Sequence, residues 1–154
     1  MKHIKLTGKH GLGKTALVDD EDFEKVNQFK WHLSGRYPVR NFGQRPNRLN
    51  IALHRFLMNT PIGMVTDHKN GNGLDNRKSN LRICTVSENI MNSKKSENTS
   101  SRFKGVCRNT AKPWRAYIGR TILGSFATEI EAANAYNMAA KKLYGHFARL
   151  NIID

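Results

Sequence analysis

Between Thr66 and Asn92 the chain reads TDHKNGNGLDNRKSNLRICTVSENIMN, and four polar residues in it have types and spacing that suit phosphodiester hydrolysis. Asp67 and His68 close a run with strand character and a loop of Gly, Asn and Asp follows. Asn80 stands twelve residues past His68, and Asn89 nine further on, in a segment with helix-start chemistry. In-line attack of water on a phosphodiester needs a base for the water and positive charge for the phosphate and the leaving 3′ oxygen, which one neutral imidazole and one metal ion supply. Asp67 offers an anionic oxygen to a hard cation and His68 is the candidate base. Asn89 could add a second oxygen from a helix packed across the hairpin, with Asn80 tying down the loop that aims His68. An all-oxygen pair favours Mg²⁺, with Mn²⁺ as the alternative, over Zn²⁺. Neighbours in a strand point to opposite sides, so Asp67 and His68 share one centre only if the strand end is twisted or bent. Taken singly, turn formation and loop capping explain each of these residues; the set of four has no such structural explanation.

The elements around this stretch are short. Residues 2–66 break into HIKLT, a Gly-rich turn, TALV, an acidic DDEDFEKVNQF, KWHL, YPVRNF and RLNIALHRFLMN, which predicts short strands and one or two short helices acting as scaffold. Asp20 is the expected cap of a helix over 21–28, whose acidic first turn suits the helix dipole. His54, ahead of an apolar FLM run, reads as a packed, hydrogen-bonded histidine rather than a ligand. Residues 93–102, SKKSENTSSR, contain no apolar residue and read as a linker.

Beyond the linker, FKGVCRN, WRAYIG and TILGSF predict three strands, and TEIEAANAYNMAAKKLYG predicts a helix. Thr128 and Glu131 form a capping-box pattern and Gly145 is placed to end the helix. Ala132, Ala133, Tyr136, Ala139, Ala140 and Leu143 share one helical face, small enough for the axis to lie close to a sheet. Alternation sends Trp114, Ala116 and Ile118 toward that helix and leaves Arg115 and Tyr117 on the uncovered face.

Charge points to the partner. The 154 residues hold 26 Lys and Arg against 12 Asp and Glu, a net +14 with a pI near 10.2, so a polyanion is the expected ligand. Residues 1–66 and 101–154 each carry +6 while 67–100 carry +2, a pattern of two basic arms around a centre that keeps carboxylate for a metal. An apolar fraction of 38% and a mean hydropathy of −0.61 fit small modules better than one large core. Cys84 and Cys107 lack a CxxC or Cys-His spacing, so neither a zinc knuckle nor a disulfide framework is expected. No apolar run approaches a membrane span and the N-terminus is polar, so the expected setting is the cytoplasm, with no membrane partner.

The segment 51–92, with LHRFLM ahead of the Asp-His pair and LDNRKSNLR within it, resembles the HNH endonucleases, specifically the Asp-His, Asn, Asn variant of phage and intron-encoded homing enzymes. TALVDDEDFEKVNQFKWHL extends the likeness toward the N-terminus. The resemblance implies a ββα-metal unit with Asp67 and Asn89 as metal ligands, His68 as general base and Asn80 as the loop-orienting residue. Asn89 stands where many members have His, which moves the implied ion from zinc toward magnesium. From Ser101 to Asn151 the chain resembles the Apetala-two, ethylene-response-factor type DNA-binding domain, whose three-stranded sheet lies in the major groove. That likeness implies contacts to double-stranded DNA from Lys104, Arg108, Arg115, Tyr117 and Arg120. Cys107 and Asn109 replace residues often basic in that family, so its base preference does not carry over.

The expected fold class is α+β: residues 1–92 a β-rich scaffold plus nuclease, with the ββα core at about 62–92, then a linker at 93–102, then at 103–154 a three-stranded antiparallel sheet packed on one helix. The expected function is site-specific cleavage of duplex DNA by a homing-type enzyme, acting as a monomer or as a dimer assembled on DNA. A non-catalytic DNA-binding regulator is the rival reading; it would use the basic arms and leave the Asp67, His68, Asn89 set without a purpose. A nucleotide hydrolase would use only Gly8–Thr15, GKHGLGKT, which matches the phosphate-loop pattern but is followed by strand-like TALV rather than a helix, so a hairpin turn is expected there.

Overall fold

Alternation in the first two strands, β1 (Lys2–Thr7) and β2 (Thr15–Val18), puts Ile4, Leu6, Ala16 and Val18 on one buried face. In the computed structural model, which describes residues 1–44, 47–110 and 113–153, these strands pair antiparallel, Ile4 opposite Ala16. Between them GKHGLGKT turns at Gly8 and Gly13, with φ of 77° and 76°, values that favour glycine. The phosphate-loop pattern therefore closes a hairpin and leads into a strand.

The chain divides into two compact units, Met1–Asn89 and Ile90–Asp154. In the first, β3 (Trp31–Ser34), β4 (Tyr37–Phe42) and β5 (Leu49–Ala52) complete a five-stranded sheet of order β2-β1-β3-β4-β5. All neighbours are antiparallel except β1 and β3, and the crossover to that parallel pair contains α1 (Asp20–Asn27). The helix is expected from Asp20 as cap, but Asp19 holds the N-cap position and Asp20 instead binds the Met1 ammonium at 2.7 Å. Trp31, Val18, Val26 and Leu53 are fully buried in the core, and Trp31 Nε1 donates to Val26 O at 3.0 Å. Complete burial of such side chains stabilises by roughly 1.5–3 kcal/mol each.

This sheet is the platform for the Asp-His hairpin, β6 (Val65–His68) paired antiparallel with β7 (Leu81–Cys84). A short helix, α2 (Leu53–Met58), packs against β4, β5 and both hairpin strands, and it ends at Asn59 in the left-handed region, φ 46°. The loop 69–80 docks on the edge strand β2: Leu17 N donates to Leu74 O and Asn76 N to Leu17 O, each at 2.8 Å. Lys78 fastens the loop to α1, its backbone N–H to Asp19 Oδ2 at 2.7 Å and its ammonium to Glu21 at 2.6 Å and Asp22 at 3.0 Å.

After β7 comes α3 (Val86–Met91), completing the ββα order. The helix expected to pack across the hairpin is six residues long and buries none of them; Val86 and Ile90 are exposed. The helix that packs on both hairpin strands is α2, which precedes it, and its Leu53 and Leu57 join the core.

The second unit is a three-stranded antiparallel sheet, β8 (Val106–Arg108), β9 (Trp114–Ile118) and β10 (Thr121–Phe126), backed by α4 (Glu129–Tyr144). Thr128 and Glu131 form the full reciprocal capping box, and Gly145, φ 51°, is the C-cap from which a 3-10 turn, Gly145–Phe147, continues. Ala132, Ala133, Tyr136 and Ala140 are buried against Ala116 and Ile118, but Leu143, expected on the same face, is exposed because the sheet ends before the last helical turn reaches it. The axis comes so close that a Cβ on Gly105, φ 71°, would overlap the Tyr136 ring. Residues 93–102 form no helix or strand; at their end Ser101 is buried and its hydroxyl donates to Glu129 at 2.7 Å. Both cysteines are free thiols. Among the described residues no helix is long and apolar enough to cross a membrane.

Candidate active site and nucleic-acid face

Strand alternation gives Asp67 and His68 opposite surroundings, although both are buried. Asp67 lies across from Arg82, whose Nε and Nη2 donate to Oδ2 at 2.8 and 2.6 Å. His68 lies across from Leu81, and its ring sits among groups brought from two other elements. Tyr37 of β4 stacks on it at 5.6 Å and 21° between planes, and His54 of α2 meets it edge-on at 5.0 Å and Tyr37 at 4.9 Å. His68 Nε2 is 3.4 Å from Asn76 Oδ1. Asn76 is fully buried and its Nδ2 donates to Gly73 O at 3.3 Å, which turns Oδ1 to the imidazole.

Burial pushes the His68 pKa down, against the Asn76 hydrogen bond and the charges of Asp67 and Asp75, which raise it. The ring is therefore neutral at pH 7, the form a general base requires. His54 is pushed further, to about 4, by burial and by the proximity of His68 and Arg55. The expectation of a packed His54 holds, but its Nδ1 is buried without a hydrogen-bond partner.

Asn80 holds the loop closed by three side-chain bonds: Nδ2 to Asp75 O at 2.8 Å and to Asn70 Oδ1 at 3.1 Å, and Oδ1 from Asn70 N at 3.0 Å. Its carbonyl accepts from the N–H of Lys69, the residue after His68, at 2.9 Å. Asp75 adds a bidentate pair with Arg77 at 2.7 and 2.8 Å, and that bonding lowers its pKa. At Gly73 a Cβ would strike the Tyr37 ring and Arg36 O, so glycine is what lets the loop lie on Tyr37. Thus Asp67, His68 and Asn80 are gathered on the hairpin and its loop. Asn89 lies on α3, half-buried, its backbone N–H bonded to Thr85 O at 3.1 Å.

The donor chemistry fits a hard divalent cation: a carboxylate and an amide oxygen, with waters completing the shell. Arg82 already puts a guanidinium cation on the buried Asp67 carboxylate. Among the described residues no group of three or more His, Cys, Asp or Glu side chains is placed to hold a metal ion.

Sequence reasoning missed Tyr37, Asn76 and Arg82. Asn76 and Arg82 lie inside the polar stretch itself, and the strand register opposite Asp67 is the signal that finds Arg82. Nothing local marks Tyr37, which arrives through sheet topology.

In the second unit, Arg115 and Tyr117 lie on the sheet face away from α4, with Arg115 Nη2 donating to Asn109 Oδ1 at 2.9 Å and Asn109 Nδ2 to Ser125 Oγ at 3.2 Å. Arg120 is exposed in the β9–β10 turn. Two residues expected on the DNA face are placed otherwise. Arg108, in register with Trp114, lies over that ring at 5.2 Å, on the side of Val106 and not of Arg115. Lys104 precedes β8, and its ammonium donates to Met91 O at 2.8 Å, to Ser93 O at 2.7 Å and, at 3.4 Å, to Ser93 Oγ, which uses all three N–H groups.

An antiparallel Asp-His hairpin followed by a helix, with an asparagine-locked loop between its strands, defines a ββα nuclease unit, and the HNH endonuclease profile matches residues 59–91. The chain belongs to the HNH endonuclease family. It is 32% identical over 156 residues to an uncharacterised HNH endonuclease of Acanthamoeba polyphaga mimivirus, covering 94% of this chain and 78% of that protein. A second likeness is to plant proteins. Dehydration-responsive element-binding protein 2A of Oryza sativa subsp. indica is 44% identical over 64 residues, 38% of this chain and 23% of that protein. Protein 2D of Arabidopsis thaliana is 45% identical over 62 residues, 36% and 30% respectively. No solved structure matches the chain.

Proposed function

We propose that the chain is a site-specific, homing-type endonuclease that hydrolyses phosphodiester bonds of duplex DNA with one divalent cation. The observation that carries this reading is the buried, neutral His68, fixed by Asn76 and stacked on Tyr37, in the strand that also bears Asp67. Asp67 and Asn89 would hold a Mg²⁺ ion, or Mn²⁺ in its place, which when bound would supply positive charge against the phosphate and the departing 3′ oxygen. His68 takes a proton from the attacking water on its unprotonated ring nitrogen. The water oxygen bonds to phosphorus as the bond to the 3′ oxygen breaks, leaving a 5′-phosphate and a 3′-hydroxyl. Asn80 keeps the loop, and with it Asn76, in the position that aims the imidazole. Arg115, Tyr117 and Arg120 contact the duplex from the second unit, with the nuclease unit ending near residue 92 and the DNA-binding unit beginning near 103. One catalytic unit per chain makes each monomer a nicking enzyme, and two monomers on one site would cut both strands.

Incubation with supercoiled plasmid tests this: nicked circles should form with Mg²⁺ or Mn²⁺ and not with EDTA. Cutting that continues in EDTA contradicts the one-metal scheme. The likeness to plant DNA-binding proteins favours one rival, a regulator that binds without cutting; plasmid bound but left intact with either metal would select it.

A further inference from the structure

In the second unit a cleft of about 400 Å³ gathers Lys94, Lys95, Arg102, Lys104 and Arg149, with no carboxylate among the described residues that line it. None of the lining residues belongs to β8, β9 or β10, so it is separate from the face that carries Arg115 and Tyr117.

Its walls are held by specific bonds. Asn151 Oδ1 accepts from Lys104 N at 2.7 Å, and Asn151 Nδ2 donates to Lys104 O at 3.0 Å. Asn137 of α4 makes the same reciprocal pair with the Asn151 backbone, at 2.9 and 2.7 Å. The Lys104 ammonium, bonded to the carbonyls of Met91 and Ser93, fastens the segment that brings in Lys94 and Lys95. Arg102 lies over the Phe103 ring at 4.7 Å, with Glu129 3.9 Å away. Holding five cations around one concavity costs electrostatic energy that a bound polyanion recovers. Burial lowers the Lys104 pKa, and the nearby Arg149 adds to the shift. A cofactor pocket presents mostly apolar walls with a few convergent polar groups, which this lining does not.

We propose that this cleft grips the phosphodiester backbone of duplex DNA, a sequence-independent contact beside the sheet. It rests on the reading of the chain as a DNA-cutting enzyme and assigns the grip to Lys94 and Arg149. Lys104 contributes charge from behind, its N–H groups being occupied.

The test is fluorescence anisotropy of the full-length protein on a mixed-sequence duplex across a salt series, comparing wild type with the Lys94→Gln, Arg149→Gln double variant. Each lost phosphate contact removes about 0.9 from the slope of log K against log salt, so the double variant should lose roughly 1.8. Between 50 and 200 mM salt the wild type should then lose roughly 12-fold more affinity than the double variant. Should the double variant fail to fold by circular dichroism, Lys94→Gln alone, at an exposed position, should lower the slope by about 0.9. An unchanged slope in a folded variant overturns the proposal. So does a thermal shift with inorganic phosphate that needs Lys94 and Arg149 while the DNA slope stays the same, since the cleft would then serve a free anion. A wild type that binds no duplex removes the endonuclease reading together with the cleft; normal wild-type binding with unchanged variants removes the cleft alone.

Discussion

Acid should weaken the first unit through His54, and replacing that residue should remove a measurable part of the effect. The unfolded chain takes up a proton at the imidazole near pH 6.5, whereas the folded protein, which buries the ring beside His68 and Arg55, resists until about 4. Between those values the unfolded state binds more protons, so stability falls as the pH drops from 6.5 to 4; above 6.5 the effect vanishes. A separation of that size corresponds to about 3.4 kcal/mol when fully expressed, and to about 2 kcal/mol at pH 5. The assay is urea unfolding at pH 7.5 and pH 5, read by the fluorescence of the fully buried Trp31 in a Trp114→Phe background. His54→Gln should lose about 2 kcal/mol less than its parent between the two pH values. Carboxylates titrate in both proteins and cancel, as does the His68 contribution of the same sign. Equal pH dependence in the two proteins would refute the burial of a neutral His54 against the catalytic hairpin.

Two further outcomes test the surroundings of the site. Tyr37→Phe, which retains the stacked ring, should cleave like wild type, whereas Tyr37→Ala should lower kcat with little change in DNA affinity and shift the pH profile of cleavage; equal kcat in both variants would deny Tyr37 any part in aiming His68. Arg82→Met takes the guanidinium from beside the buried Asp67 carboxylate and should destabilise by about 3–5 kcal/mol. Mg²⁺ should raise the melting temperature of Arg82→Met more than that of wild type if Asp67 binds the ion, and an equal rise in both would contradict Asp67 as a ligand.

What could be read from the sequence follows the range of the forces involved. The capping box at Thr128 and Glu131, the alanine face of α4 and the turn at Gly8 and Gly13 depend on neighbours within a few residues, and they stand where local chemistry puts them. The three-stranded sheet behind α4 is of the same kind, because alternation alone sorts Ala116 and Ile118 from Arg115 and Tyr117. The parallel pairing of β1 with β3 leaves no local mark, so the sheet that carries Tyr37 to His68 stayed hidden, and with it the aromatic contact. His54 was placed as a packed residue from the apolar run after it, but that His68 is the group it packs on comes only from α2 lying across the hairpin. Arg108 shows the opposite limit: the resemblance to the Apetala-two domain implies a DNA contact there, and the strand register turns the side chain onto Trp114.

The central claim, that His68 is the base of a metal-assisted DNA cleavage reaction, is tested most directly by His68→Ala in paired assays with Mg²⁺ present. Plasmid nicking should disappear while duplex affinity by anisotropy stays at the wild-type value. Cleavage at the wild-type rate by a folded His68→Ala protein would contradict the account.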